Sequence, residues 1–144
     1  MKLSTYGNSA NQRGNTMYMT PEEIREAFPD IVIGRGVRIE RGVQIGSDVV
    51  IGSDVLIGRG VVIGSGAAIK RGVMIQRSVV IGSGAWIGSD VVIGRGAVIE
   101  RAVVIGSDAV IGSDVRIESC AWIGSDVRIG SCAWIGSNAV IVVN

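Results

Sequence analysis

Few side chains in this sequence have the type and spacing for chemistry. Arg41, Arg59, Arg77 and Arg95 recur every 18 residues, and guanidinium groups set close together suit phosphates, polyanions or acidic partner surfaces. Asp54, Asp90, Asp108 and Asp126 fall 36 or 18 positions apart, a carboxylate series that could attract a cation. Cys120 and Cys132 are separated by 12 positions and form no CxxC motif. A reactive thiol needs a base or a positive field beside it, and a small residue tolerated in a turn is the plainer account of both. Histidine is absent, which removes Ser-His-Asp triads, imidazole bases and His-ligated zinc from what this chain can supply. No glycine cluster has P-loop spacing. The residues therefore point to no catalytic group, no metal site and no cofactor.

The elements that position these residues follow from composition and period. The chain has 144 residues and 15.0 kDa, which fits one domain. Gly (22), Val (22) and Ile (21) dominate, whereas Leu occurs only at positions 3 and 56. That balance excludes a helix bundle and favours strands joined by tight turns. Ile recurs every six residues from Ile33 to Ile141, 19 times in succession. Two positions before each stands Val, Ala or, once, Ile; one position after stands Gly in 13 cases. Three positions after stands Gly, Asp or Asn in 15 cases, the residues that best tolerate left-handed backbone. In Asp48-Val49-Val50-Ile51-Gly52-Ser53, Val49 and Ile51 share one strand face and Val50 points to the other. A strand of about three residues and a turn cannot stand alone, but copies can stack into a solenoid with Ile, Val and Ala inside.

Over residues 31–144 this pattern resembles the hexapeptide-repeat left-handed β-helix family. The resemblance implies an all-β fold: a left-handed parallel β-helix, a triangular solenoid with three hexapeptides per 18-residue coil. Nineteen hexapeptides make about six coils, a prism roughly 30 Å long at the usual strand spacing. Acyltransferases of this family use a catalytic His between subunits, and its carbonic anhydrases bind zinc through His. Neither finds a matching residue here, and no loop interrupts the repeat. The family's homotrimers of parallel prisms make a homotrimer the implied assembly.

Sorting outward strand residues by the family's 18-residue coil gives three faces. The first carries Val32, Val50, Ala68, Trp86, Val104, Trp122 and Val140, apolar throughout. The second carries Arg38, Leu56, Met74, Val92, Val110 and Arg128, and the third Gln44, Val62, Val80, Val98, Arg116 and Trp134. Two readings stand for the apolar column. It is an interface anchored by Trp86 and Trp122, with Trp134 beside it, or it reflects the preference of strands for β-branched residues. Arg41, Arg59, Arg77 and Arg95 stack on one corner, as an anion-binding ladder or as solvated side chains that splay towards Glu40 or Glu100. The aspartates occupy the left-handed turn position of another corner, where a turn role accounts for them without calcium. Cys120 and Cys132 fall on different corners, too far apart for a disulfide within the chain.

Residues 1–30 form an N-terminal arm and capping helix, residues 31–144 the β-helix. Thr20-Pro21-Glu22-Glu23 reads as a capping box. Ile24, Ala27 and Phe28 would share the face that covers the first coil, with Pro29 stopping the helix. The polar arm, residues 1–19, would lie on its own prism or on a neighbouring subunit. At the other end, Val140-Ile141-Val142-Val143-Asn144 lacks a polar cap, which suits end-to-end stacking or docking, or simple fraying. Net charge is +1, giving no global field for nucleic acid or membrane. No apolar run reaches membrane-spanning length. The N-terminus lacks a signal peptide's apolar stretch, so the cytoplasm is the default. The sequence thus predicts a non-catalytic structural or assembly protein that self-associates as a trimer or end-to-end stack, or docks on a protein partner. An anion- or acidic-partner-binding module and an acyltransferase-like protein are the alternatives.

Overall fold

The computed structural model describes residues 17–143, and the expectations for residues 1–16 fall outside that range. Nineteen two-residue strands follow one short helix. The first three are β1 (Val32–Ile33), β2 (Arg38–Ile39) and β3 (Gln44–Ile45), and each begins one parallel sheet. The β1 sheet has seven strands and ends at Val140–Ile141; the β2 and β3 sheets have six each and end at Arg128–Ile129 and Trp134–Ile135. Register is 18 residues throughout, as in Val32↔Val50 and Trp86↔Val104. The result is the left-handed parallel β-helix of about six coils that the repeat predicts.

The strands have two residues rather than about three. Each comprises an outward residue and the inward Ile. The Val or Ala before them is buried but still belongs to the bend, because the residue ahead of it is left-handed. Asp48 has φ 62° and Val49 is fully buried. Coils are tied in both directions. Trp86 N–H donates to Val103 O at 2.8 Å and Gly88 N–H to Ile105 O at 2.7 Å, both to the next coil. Asp90 N–H donates back to Arg71 O at 3.0 Å.

The interior is a stack of Ile, Val and Ala. From Ile51 to Ile123 every sixth-residue Ile is at most 1% exposed, and no polar side chain is buried among the described residues. The N-terminal coil is closed by α1 (Pro21–Ala27). Its capping box is complete: Glu23 N–H donates to Thr20 Oγ1 at 3.1 Å, and Thr20 N–H to Glu23 Oε1 at 2.8 Å. Ile24 is buried and Phe28 half-buried against the core. Ala27, expected on the same face, is exposed, because a seven-residue helix crossing the prism end presents only one side chain squarely to it. Residues 17–19 add antiparallel to the edge of β2. Met19 N–H donates to Ile39 O at 2.8 Å, and Arg41 N–H to Met17 O at 2.9 Å. This part of the arm lies on its own prism.

Coil spacing makes a sharp demand at most of the glycines that follow Ile. A Cβ on Gly88 would stand 2.7 Å from Ser107 N and 2.8 Å from Gly106 C, backbone that cannot yield without unseating the next coil. A Cβ on Gly136 meets nothing within 4 Å. Gly88→Ala is therefore expected to cost about 1–3 kcal/mol, whereas Gly136→Ala should stay within about 0.5 kcal/mol. Urea denaturation of the two variants checks this, and equal midpoints would contradict the packing account.

Candidate functional site

The arginine ladder occupies the corner between the β2 and β3 sheets, opposite the β1 sheet. It is partly neutralised, and from one end. Arg41 Nη1 meets Glu23 Oε2 of α1 at 3.1 Å. Arg77 Nε lies 4.0 Å from Glu40 Oε1. The same Glu40 oxygen accepts the Arg59 N–H at 2.8 Å, so this mostly covered carboxylate sits beneath the ladder. Arg59 and Arg95 have no ion-pair partner among the described residues. Of the two carboxylates expected to draw the ladder apart, Glu40 does so. Glu100 instead takes Arg116 at 3.0 Å.

Glu100 and Glu118 form a device that the sequence reading missed. Glu100 accepts Arg116 Nη2 at 3.0 Å and Ser119 Oγ at 3.2 Å. Glu118 accepts Trp134 Nε1 at 2.8 Å and Ser137 N–H at 3.2 Å. Each carboxylate thus holds the outward side chain 16 residues on and the turn 19 residues on. The legible signal was Glu in place of Gly after Ile, with a donor at both offsets.

The aspartates are where a turn requires them. Asp54, Asp90, Asp108 and Asp126 have φ between 61° and 66°, and no cluster of potential metal ligands occurs among the described residues. Cys120 and Cys132 hold the same left-handed turn position at φ 66° and 68°, and both thiols are free and exposed.

The β1 sheet carries the apolar column, paired in unbroken register from Val32 to Val140. Val32, Val50, Trp86, Trp122 and Val140 are exposed, the two tryptophans by 40% and 45%; Ala68 and Val104 between them are half-covered. Lys70 Nζ lies 5.2 Å from the Trp86 ring centroid, a cation–π contact that steadies the ring. Trp134, on the β3 sheet, is 71% exposed yet pinned by Glu118. No helix among the described residues is long and apolar enough to cross a membrane.

A parallel solenoid of this kind defines a class, the left-handed hexapeptide β-helix. The chain belongs to the bacterial transferase hexapeptide (six repeats) family, whose model matches residues 30–65 and 102–137, half of the chain. No curated protein sequence matches it. Solved structures share the fold at low identity. The acetyltransferase domain of PglB from Neisseria gonorrhoeae aligns with a TM-score of 0.68 and 22% identity, over 72% of this chain and 50% of that one. GDP-perosamine N-acetyltransferase from Caulobacter crescentus aligns at 0.61 and 19%, over 81% and 55%. UDP-N-acetylglucosamine acyltransferase from Campylobacter jejuni aligns at 0.60 and 20%, over 78% and 58%. The fold is thus acyltransferase-like, and the chain spans about half the length of these structures.

The Glu23 carboxyl is held below the usual glutamate range, first by the Thr20 backbone N–H it accepts and next by Arg41. A carboxyl depressed on folding adds stability above its unfolded pKa and loses it as pH falls through the folded value. Protection of the Phe28 and Arg41 amides against hydrogen exchange should therefore fall below about pH 4. Glu23→Gln keeps a capping acceptor without the charge and should flatten that profile. An unaltered profile in the variant would show that Glu23 does not set it.

Proposed function

We propose that this chain is a non-catalytic assembly module, a rigid prism that associates side by side with copies of itself through the β1-sheet column. The carrying observation is the column: seven outward positions in register, none polar, with two exposed tryptophans. Stacking alone does not demand this, since equivalent positions on the other sheets hold Arg38, Gln44, Arg116 and Arg128. Aromatic anchors in a flat apolar surface are typical centres of protein–protein interfaces. Side-by-side association also accords with the N-terminal end, where α1 and residues 17–19 cover the first coil and oppose stacking there.

A parallel homotrimer is the assembly proposed, with Val50, Ala68, Trp86, Val104, Trp122 and Val140 as its contact surface and Trp134 at its margin. The non-catalytic part rests on chemistry. The chain offers no histidine to act as a base. An acyltransferase reading draws on the fold shared with acetyl- and acyltransferases. It would need a base other than imidazole from this chain.

Light scattering over a dilution series tests the assembly. The expected mass is three times the 15.0 kDa of one chain, falling to one chain in Trp86→Glu/Trp122→Glu with circular dichroism unchanged. A monomeric wild-type protein, or a variant that keeps its mass, would overturn the reading. Turnover of acetyl-CoA by the wild-type protein would replace its non-catalytic part.

A further inference from the structure

On the lower coils the N–H of each outward residue donates to the coil above, as Val110 N–H does to Val127 O at 2.9 Å and Trp122 N–H to Ala139 O at 2.8 Å. The last coil lacks that cover. Its strands β17 (Arg128–Ile129), β18 (Trp134–Ile135) and β19 (Val140–Ile141) each pair on one side only. The N–H groups of Arg128, Trp134 and Val140 meet no acceptor among the described residues. Ala133, Ile135 and Ile141 are half-covered, whereas Val115, Ile117 and Ile123 one coil below are buried. Edge strands are commonly guarded by lysine, proline or inward charge. Residues 127–143 contain no Lys and no Pro, and Arg128 is their one charged residue.

The shape of this end selects what fits it. With an 18-residue register over three strands, each strand stands a third of a coil above the one before, so β17 is the lowest and β19 the highest. A two-fold axis across the prism through β18 sets β19 of one copy over β17 of the other and β18 over its own equivalent. All three gaps are then equal, a match that a flat surface or a single extended peptide does not offer. The facing strands run antiparallel, and residues directly opposite in such pairs point to the same side. With the axis at Trp134, that residue faces itself and Val140 faces Arg128, all outward. Inward Ile135, Ile141 and Ile129 face inward Ala133, Val127 and Ala139, so the core continues from one copy into the other. Antiparallel pairing at a prism end already occurs in this chain, where Met19 N–H donates to Ile39 O at 2.8 Å and Tyr18 bridges Glu40. That N-terminal cover also obstructs head-to-tail stacking, which would have to displace α1.

We propose that the last coil docks on the last coil of a second copy, tail to tail about this two-fold axis. Arg128, Trp134 and Val140 of each copy exchange backbone N–H and C=O with Val140, Trp134 and Arg128 of the other, and the half-covered core residues become covered. Trp134, already held by Glu118 at 2.8 Å, lies beside its equivalent at the axis. Val142 and Val143, both exposed, converge with their equivalents at the corner opposite β18. Three two-residue strands make a contact smaller than the roughly 800 Å² per partner of a stable interface, so the pair is transient in dilute solution. The contact uses the edges of the last coil and not the face of the β1 sheet. This inference therefore does not rest on the side-by-side reading, and either can fail alone.

Disulfide trapping of the full chain tests it. In a Cys120→Ser/Cys132→Ser background, Trp134→Cys places one thiol per chain at the axis, where facing Cα atoms about 5.5 Å apart lie within disulfide reach. Oxidised glutathione should convert most of this variant to a linked dimer, while Met74→Cys, halfway along the β2 sheet, stays unlinked. Arg128→Pro removes an N–H that pairs with nothing inside one copy, and an edge strand tolerates it. Added to Trp134→Cys, it should slow linking by about tenfold or more with circular dichroism unchanged. In the unaltered chain, exchange of the Arg128 and Val140 amides should slow as concentration rises. Absence of the linked dimer, equal linking of Met74→Cys or indifference to Arg128→Pro would overturn the proposal. Loss of linking when Trp86→Glu/Trp122→Glu is added would overturn it too, by assigning the contact to the side-by-side assembly.

Discussion

No coil of this prism closes by itself; each depends on contact with the next. On every coil with another above it, the N–H of the outward residue and of the residue after Ile finds its acceptor 17 positions ahead, and the left-handed turn residue finds its acceptor behind, as Trp86, Gly88 and Asp90 show. The interior follows the same rule, since each Ile is covered by Ile one coil above and below. An isolated hexapeptide would fix several backbone angles for almost no hydrogen bond or buried area. Where glycine follows Ile inside the prism, as at Gly88, the neighbouring coil's backbone occupies the place of a Cβ. The two prism ends are thereby special, and at the first coil a capping-box helix and the antiparallel bridge of residues 17–19 supply what a preceding coil would have supplied.

Because stacking consumes every inward side chain, function is left to the outward strand positions and the corners. These tolerate charge: Arg116 pairs beside Trp134, and Arg128 beside Val110, in ordinary parallel register. The unbroken apolar column of the β1 sheet is thus a choice of sequence beyond the needs of the solenoid. Two tryptophan rings are also restrained, Trp86 by Lys70 and Trp134 by Glu118. A ring already held loses less rotamer freedom when a partner covers it, which makes such residues better anchors than freely turning ones.

The repeat was legible because one period states both the strand face and the turn. Ile at every sixth place gave the core, and Gly, Asp or Asn three places later gave 14 of the 18 left-handed turns that the structure shows, the other four falling on Ser78, Ala102, Cys120 and Cys132. What escaped the sequence depends on distance across coils. The two-way grip of Glu100 and Glu118 requires knowing that residues 16 and 19 further on lie overhead. The antiparallel addition of residues 17–19 to β2 comes from a segment, Met17-Tyr18-Met19, without strand-like alternation, and it arises from an edge strand with free donors and acceptors. Ala27 was misplaced for a similar reason: helical periodicity names a face, but a single-turn contact with a prism end uses only its centre. Among the site residues, the ladder itself was plain from its 18-residue interval. Its partial neutralisation from the N-terminal side was not, since it depends on α1 bringing Glu23 beside Arg41.

That neutralisation gives the arginine corner a direction. Glu23 and Glu40 both belong to the N-terminal end of the prism, so the lower arginines lie near carboxylates while Arg95 lies beyond them. The carboxylates on higher coils are committed elsewhere, Glu100 to Arg116 and Glu118 to Trp134. The corner aspartate nearest the top of the ladder, Asp114, folds over a glycine of the coil below. The arginines of this corner are therefore least compensated towards Arg95, where Leu56 and Met74 border a shallow groove with apolar surface. A solenoid offers few ways to make a concave site without a loop. Varying side-chain length on neighbouring coils is one, and long arginines beside shorter Leu, Met and Ser accomplish it here with the backbone repeat left intact.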